Sequence, residues 1–455
     1  MRGWQWIPLV CAAALSAGAE VQSWISSEDG SHQLAGQPAI AWTEAPAGAG
    51  RVIRLDAEQT GQSILGLGAS LEHATCYNLS LLGEEKRDEV LRKLVHPVDG
   101  IGMNLMRICI GTSDFTGEDW YSYCDTPDGA PDPELEHFSI EKDRAYILPT
   151  LKAALAINPE LKFIAAPWSP PAWMKSNGSM LAGRLKPEYY DAFSRYLVKF
   201  IEAYAAEGIP VHALTPQNEP DFPNPNYPTC YYRPEDELKL IRDHLGPRMK
   251  EAGVATELWC WDHNWNKIQF PQTILRDPVA STFVSGTAFH FYEGTVDAQS
   301  ALQAEFPDKP IYFTEGSTFG TRGAVQITEI LQHWARSYNA WVVMLDEDRK
   351  PNNGPHTASR TCIELMRDKS VSYHFDYFMY GQFMKFVPRG AVRLATEPGD
   401  KRFAHIAFKN PDGSFTLVVV NAVRSDETFQ VSLGDRTFTA TLPGKSVGTY
   451  TWSSF

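Results

Sequence analysis

Between residue 63 and about residue 386, short apolar runs alternate with stretches whose apolar residues recur every three or four positions. The short runs read as buried strands at 64–67, 104–110, 161–166, 211–215, 257–261, 284–289, 310–314 and 340–345. The periodic stretches read as helices. One covers 79–95 through Leu82, Val90, Leu91 and Leu94, and another covers 146–157. The clearest opens near Pro187, repeats Tyr189, Phe193, Tyr196, Phe200 and Tyr204 on one face, and stops at Gly208. Pro234 opens a further helix, Val325, Ile330, Leu331 and Trp334 mark another, and helices are expected from 346 to about 386. Eight strands, each followed by a helix or a long helical connection, predict a (β/α)8 TIM barrel. A doubly wound sheet is the rival. Gly66-Leu67-Gly68 is no dinucleotide fingerprint, having neither a third glycine nor an acidic partner at the right offset. Polar residues gather after nearly every strand, which places them on the one barrel face where active sites form.

From Val392 the period changes to two. Phe403, His405 and Ala407 alternate, Asp412-Gly413 turns the chain, and Phe415, Leu417 and Val419 alternate back. Phe429, Val431 and Leu433, then Phe438, Ala440 and Leu442, then Tyr450 and Trp452 continue an antiparallel sheet. That set alone is a thin core. Residues 20–58, with short strands and the turn Asp29-Gly30, are expected to complete one β-sandwich built from both ends of the chain. The division expected is therefore a leader at 1–19, sandwich strands at 20–58, the catalytic barrel at 59–388 and the remaining sandwich strands at 389–455.

The leader reads as a secretory signal peptide. Arg2 supplies the charge, Ile7 to Leu15 the apolar core, and Ala17-Gly18-Ala19 an A-x-A cleavage site. The apolar run is about half of the ~20 residues needed to span a bilayer. Export to the periplasm or outside the cell is expected, with no integral membrane segment after cleavage. A net charge of −14, spread without long blocks, argues against nucleic acid as a partner. Removal of Cys11 leaves six cysteines with no C-x-x-C spacing, which is no disulfide framework for a chain of 455 residues. Asn78-Leu79-Ser80 and Asn177-Gly178-Ser179 have the form of glycosylation sequons, a form common by chance.

Two strand ends carry the chemistry. The fourth strand runs into Thr215-Pro216-Gln217-Asn218-Glu219-Pro220, and the seventh ends in Thr314-Glu315-Gly316, 96 residues beyond Glu219. Strand interiors disfavour Asn and Glu, and two prolines stiffen the first turn. Paired carboxylates at two strand ends fit a glycoside hydrolase in which one is acid/base and the other nucleophile. No metal or cofactor is called for: the histidines are scattered and none shows paired ligand spacing.

From about Gly66 to Arg393 the chain resembles glycoside hydrolase family 30, the glucosylceramidase-like family that includes acid β-glucosidase. Thr215 to Pro220 and Phe313 to Gly316 are similar to its acid/base and nucleophile motifs. Arg107 and Ser113-Asp114-Phe115 resemble its motif after strand two, and Ala166 to Lys175 its segment after strand three. His290 and Tyr292 resemble the pair after strand six, Trp341 the tryptophan after strand eight, and Cys230 an often unpaired cysteine. The resemblance implies a retaining β-glycoside hydrolase, with β-glucosides of the glucosylceramide or β-glucan kind as substrates. Endo-β-1,6-glucanase and β-xylosidase activities are the alternatives on the same scaffold. A non-catalytic carbohydrate-binding protein is a more distant one, disfavoured because both glutamates are present.

It further implies that Glu315 attacks as an anion and that Glu219 starts protonated, since two close carboxyls resist double ionisation. Asn218 would bind the sugar 2-hydroxyl. Asp114 would accept sugar hydroxyls, against the plainer role of helix N-cap. Trp168 and Trp341 would stack on the sugar, against simple core packing. Tyr292 would donate to Glu315, against being a rim residue, and His290 would touch substrate or support those residues that do. Arg107 would hold a carboxylate by paired hydrogen bonds. The chain departs from the family at Gly66-Leu67-Gly68-Ala69, where relatives have Gly-Phe-Gly-Gly, and in the acidic Leu345-Asp346-Glu347-Asp348. These departures bear on substrate identity, not on the chemistry.

Overall fold

The computed structural model describes residues 20–44, 48, 50–355, 360–397 and 399–454. The expected signal segment at 1–19, with Cys11, lies outside the described residues. The chain opens with β1 (Val21–Ser27), β2 (Ala35–Ile40) and β3 (Val52–Ser63). Eight parallel strands follow: β4 (Gly66–Ala69), β5 (Leu105–Ile110), β6 (Lys162–Pro167), β7 (Val211–Leu214), β8 (Glu257–Asn264), β9 (Val284–His290), β10 (Ile311–Glu315) and β11 (Ser337–Ala340). Strands β5 to β10 form one continuous sheet and β11 pairs with β4. Bridges from Ser70 to Arg107 and from Gly316 to Ala340 join the two sheets and close the barrel.

Gly68 explains one feature of the first strand. A Cβ there would lie 2.0 Å from the Leu105 carbonyl oxygen, so the glycine lets β4 press against β5 rather than cradle a phosphate.

Three expectations need correction. The eighth barrel strand is Ser337–Ala340, not 340–345. The segment beyond it leaves the barrel, and β12 (Met344–Asp346), β13 (Ile363–Leu365) and β14 (Val371–Tyr373) make a separate small sheet. Helix was expected to run through that region to about 386; only Phe375–Met384 is helical. The periodicity across 79–95 belongs to two helices, α1 (His73–Ser80) and α2 (Glu84–Val95), because Gly83 breaks the run at φ +79°. The aromatic-faced helix is Tyr190–Ala206, after a 3-10 turn at Pro187–Tyr189.

The second layer is a nine-stranded sheet in which β15 (Val392–Thr396), β16 (Phe403–Lys409), β17 (Phe415–Asn421), β18 (Glu427–Leu433), β19 (Arg436–Leu442) and β20 (Ser446–Trp452) join β1, β2 and β3. Strand β3 lies between β18 and β15, and β1 pairs with β20, so both ends of the chain share the sandwich. Period-two alternation shows why β16 and β17 are buried on both faces. Phe403, Ala407, Phe415, Leu417 and Val419 enter the sandwich core, while Ala404, Ile406, Phe408, Val418 and Val420 join the barrel's core. The six described cysteines are all buried and free, and Asn78 is buried with its amide on the Lys350 carbonyl. The first sequon is therefore closed to glycosylation.

Candidate active site

The site is built from the period of the strands. Leu105, Ala213, Ala288 and Tyr312 fill one apolar layer inside the barrel. Two residues further along the same strands, on the same face, stand Arg107, Thr215, His290 and Thr314. A polar layer thus caps an apolar one, and it needs a partner for four buried donors.

Asp262 is that partner. Its Oδ2 accepts from Arg107 at 2.9 Å and from Thr215 at 2.6 Å; its Oδ1 accepts from Thr314 at 2.5 Å and faces His290 Nε2 at 3.1 Å. Strict alternation from Trp259 would point Trp261 inward. A bulge between Trp261 and His263 shifts the register and turns Asp262 in instead. Trp261 and Asp262 have φ of +76° and +64°, and Glu219 has φ of +47°. Left-handed backbone at three non-glycine residues is strain held by the surrounding contacts. The Glu219 amide donates to the Asp262 carbonyl at 3.1 Å and the Asn218 amide to the Pro167 carbonyl at 2.8 Å, which fixes the turn presenting both side chains.

Arg107 is almost fully buried. It donates to Glu315 Oε2 at 2.5 Å and to Asn218 Oδ1 at 2.7 Å as well as to Asp262. Arg107 thus gives single bonds to two carboxylates rather than the expected pair to one, and it also orients Asn218 with its amide nitrogen turned from the arginine. Tyr292 donates its hydroxyl to the other oxygen of Glu315 at 2.9 Å, although 45% of the residue is exposed. It is both a rim residue and a partner of Glu315. His290 is wholly buried, with Nδ1 3.1 Å from Glu219 Oε1 and 4.0 Å from Glu315 Oε1. Those two carboxylate oxygens are thus at most 7.1 Å apart. That bound, on one oxygen of each carboxyl, reaches only the near end of the ~6.5–9.5 Å between inverting pairs.

Charge follows geometry. Burial works against a charged His290, but the Glu315 charge and hydrogen bonds to Asp262 and Glu219 outweigh it and push the imidazole up to about 9. Burial raises Glu219, but His263, 3.4 Å away, together with His290 outweighs it and holds that carboxyl well below its ordinary range. This opposes the protonated resting state expected for Glu219, because His263 and His290 both face its carboxyl. Burial, then the charges of Glu315 and Glu219, push Asp114 up to about 8.

Asp114 is buried beside Gly354, its backbone carbonyl accepts from the Asn353 and Gly354 amides, and no helix starts there. Backbone hydrogen bonds at Asp114 and Phe115 oppose that rise without cancelling it. Trp168 and Trp341 stack on one another at 5.2 Å with Arg107 over both rings, and Phe115 meets Trp341 edge-on. At 2% and 7% exposure they form the floor of the site more than an open platform.

The arrangement brings together all nine residues expected from sequence. It adds Asp262, His263 and Tyr227, which sequence reading missed. The fifth strand ends in Asp262-His263-Asn264, the same polar signature as the fourth and seventh, and that was the available signal. Tyr227 lies near Glu219, Asp114 and Glu315, whose charges, after burial, raise its phenol. Among the described residues, Glu219, His263 and His290 are a group of three possible metal donors within 4.8 Å of one another. The acidic loop is tied elsewhere: Asp346 caps its own turn, and Asp348 pairs with Arg367.

The model of the glycosyl hydrolase family 30 TIM-barrel domain matches residues 64–350, and that of the family 30 β-sandwich domain matches 390–450. An endo-1,6-β-D-glucanase of Aspergillus fumigatus is 32% identical over 421 residues, covering 86% of this chain and 85% of that protein. The mouse lysosomal acid glucosylceramidase is 28% identical, covering 89% and 84%. The solved structure of an endo-β-1,6-glucanase superposes with a TM-score of 0.87 at 32% identity, covering 96% of this chain and all of that one.

Proposed function

The chain belongs to glycosyl hydrolase family 30, and we propose that within it the protein is a retaining endo-β-1,6-glucanase acting on glucan outside the cytoplasm. Glu315 is the nucleophile. Arg107 and Tyr292 each hold one of its oxygens, an arrangement that favours an anion in a fixed rotamer. Its oxygen bonds to the anomeric carbon while the glycosidic C–O bond breaks. Glu219 protonates the departing oxygen, and His290, 3.1 Å away, holds the proton that the pair supplies. In the second step Glu219 removes a proton from water, the water oxygen bonds to the anomeric carbon, and Glu315 leaves. Asn218 binds the 2-hydroxyl and Asp114 takes hydroxyls on the far side of the ring, above the Trp168–Trp341 floor.

The observation that carries the chemistry is the single imidazole within reach of both carboxylates. The substrate half rests on the two endo-1,6-glucanases at 32% identity, against 28% for the glucosylceramidase. Export is supported by Arg2, the apolar run from Ile7 and the Ala17-Gly18-Ala19 site. No helix among the described residues is long and apolar enough to cross a membrane. The test is hydrolysis of β-1,6-glucan, β-1,3-glucan, glucosylceramide and aryl β-xyloside, followed by NMR of the first product. Preferential cleavage of β-1,6-glucan with a β-configured product is expected. Preference for glucosylceramide would replace the substrate reading with a sphingolipid one, and an α-configured product would remove the retaining mechanism.

A further inference from the structure

A cavity of about 500 Å3 opens on the same barrel face, between the loops that follow β5 and β6. Its walls include Asp119, Trp120, Thr126, Trp173, Met180 and Leu181. This lies within the ~300–1,000 Å3 of ordinary ligand sites and is roomy enough for more than one hexose. Trp120 is the wall it shares with the catalytic centre, because its ring packs against the cluster that contains Phe115, Trp168 and Trp341. The two tryptophans of the cavity are not equivalent. Trp173 is 5% exposed, donates its indole N–H to the Cys124 carbonyl at 2.9 Å and meets Tyr189 edge-on. Trp120 is only half-buried, and its indole nitrogen is buried with no hydrogen-bond partner among the described residues.

A half-exposed indole ring on a cavity wall suits a pyranose, which offers an apolar C–H face to stack on it. Asp119, exposed at the rim, supplies an acceptor for a further hydroxyl. We infer that this cavity is a second glucosyl subsite, with Trp120 as its platform, that holds the sugar next to the one in the catalytic centre. The inference rests on the glucanase reading and deepens it. A 1,6-linkage adds a rotatable C5–C6 bond, which lets the neighbouring ring turn around the Trp120 wall.

The test separates binding from turnover. Calorimetry in a Glu315→Gln background measures β-1,6-linked glucose oligomers of one to four units, with and without Trp120→Ala or Trp120→Phe. Trp120→Ala is expected to weaken the tetramer on the order of 10-fold relative to glucose, the scale of one lost aromatic contact. Trp120→Phe keeps a platform and loses less than Trp120→Ala. Equal weakening of glucose and tetramer, or no weakening of either, overturns the subsite. Native enzyme that leaves β-1,6-glucan intact removes the glucanase reading instead. The subsite is then judged on β-1,3- and β-1,4-linked series by the same length-dependent criterion, and it falls if no series shows the loss.

Discussion

Nδ1 of His290 lies 3.1 Å from Oε1 of Glu219, while Nε2 of the same ring lies 3.1 Å from Oδ1 of Asp262. One buried imidazolium therefore bridges the acid of the reaction and the carboxylate at the centre of the polar layer. Its folded pKa, about 9, stands above the ~6.5 of an unfolded histidine. Its contribution to stability is then complete below about pH 6.5 and is lost as pH rises through about 9. Chemical denaturation of the native protein and of His290→Asn across pH 6 to 10 checks this. The native protein is expected to lose stability over that window, about 3 kcal/mol, while the variant has a flatter profile. Parallel profiles would contradict the assignment.

Asp262 accepts from four donors and is buried to 0% exposure. Asp262→Asn removes the counter-charge of Arg107 and His290 and leaves them facing an amide. Breaking a buried ion pair from one side costs about 3–5 kcal/mol, which urea midpoints would register. The same variant is expected to lower the alkaline limb of the rate profile, since one cause of the raised His290 pKa is gone. Stability within about 0.5 kcal/mol of native would show that the layer does not depend on this carboxylate.

The two glutamates separate by rescue. Glu315→Gln has no nucleophile and should be inactive on every substrate, with or without azide. Glu219→Ala loses proton transfer, worth about 10²–10⁴-fold, on glycosides with poor leaving groups. It should still expel dinitrophenolate and accumulate the glycosyl-enzyme, and azide should then speed turnover and give a β-glycosyl azide. Equal loss on activated and unactivated aryl β-glucosides, with no azide effect, would assign the acid elsewhere.

Tyr292 reaches Glu315 from an exposed position, so its hydroxyl has little to do with folding. Tyr292→Phe is expected to lower kcat by about 10-fold, one hydrogen bond to a charged group, while the unfolding midpoint stays in place. A fall in KM affinity with kcat intact would make Tyr292 a substrate contact rather than a support for the nucleophile.

The two catalytic turns were legible because Asn and Glu at strand ends violate strand propensity, and such violations persist where function holds them. Arg107 was legible only through its resemblance to the family 30 motif after strand two. Asp262 and His263 showed the same signature and were passed over, since a lone Asp after a strand is as often a loop residue. Only the bulge at Trp261 to His263 decides that Asp262 faces inward, and a bulge is set by pairing with β9, which local sequence does not encode. The eighth strand was misplaced by its apolar run, because 341–345 is buried under the site and the small sheet rather than in the barrel wall; burial and strand pairing leave the same mark in sequence. The resting protonation of the acid was also beyond reach. Sequence presents two glutamates 96 residues apart and predicts their mutual repulsion, but not two histidines from β8 and β9 beside one of them. By itself the sequence determined the barrel and the sandwich made from both chain ends through periodicity, and the two glutamates through residue type at strand ends, while the other site residues came through resemblance to family 30. Tertiary structure alone decided which side chains share protons and charge, because those couplings depend on distances of about 3 Å between residues brought together only when the barrel closes.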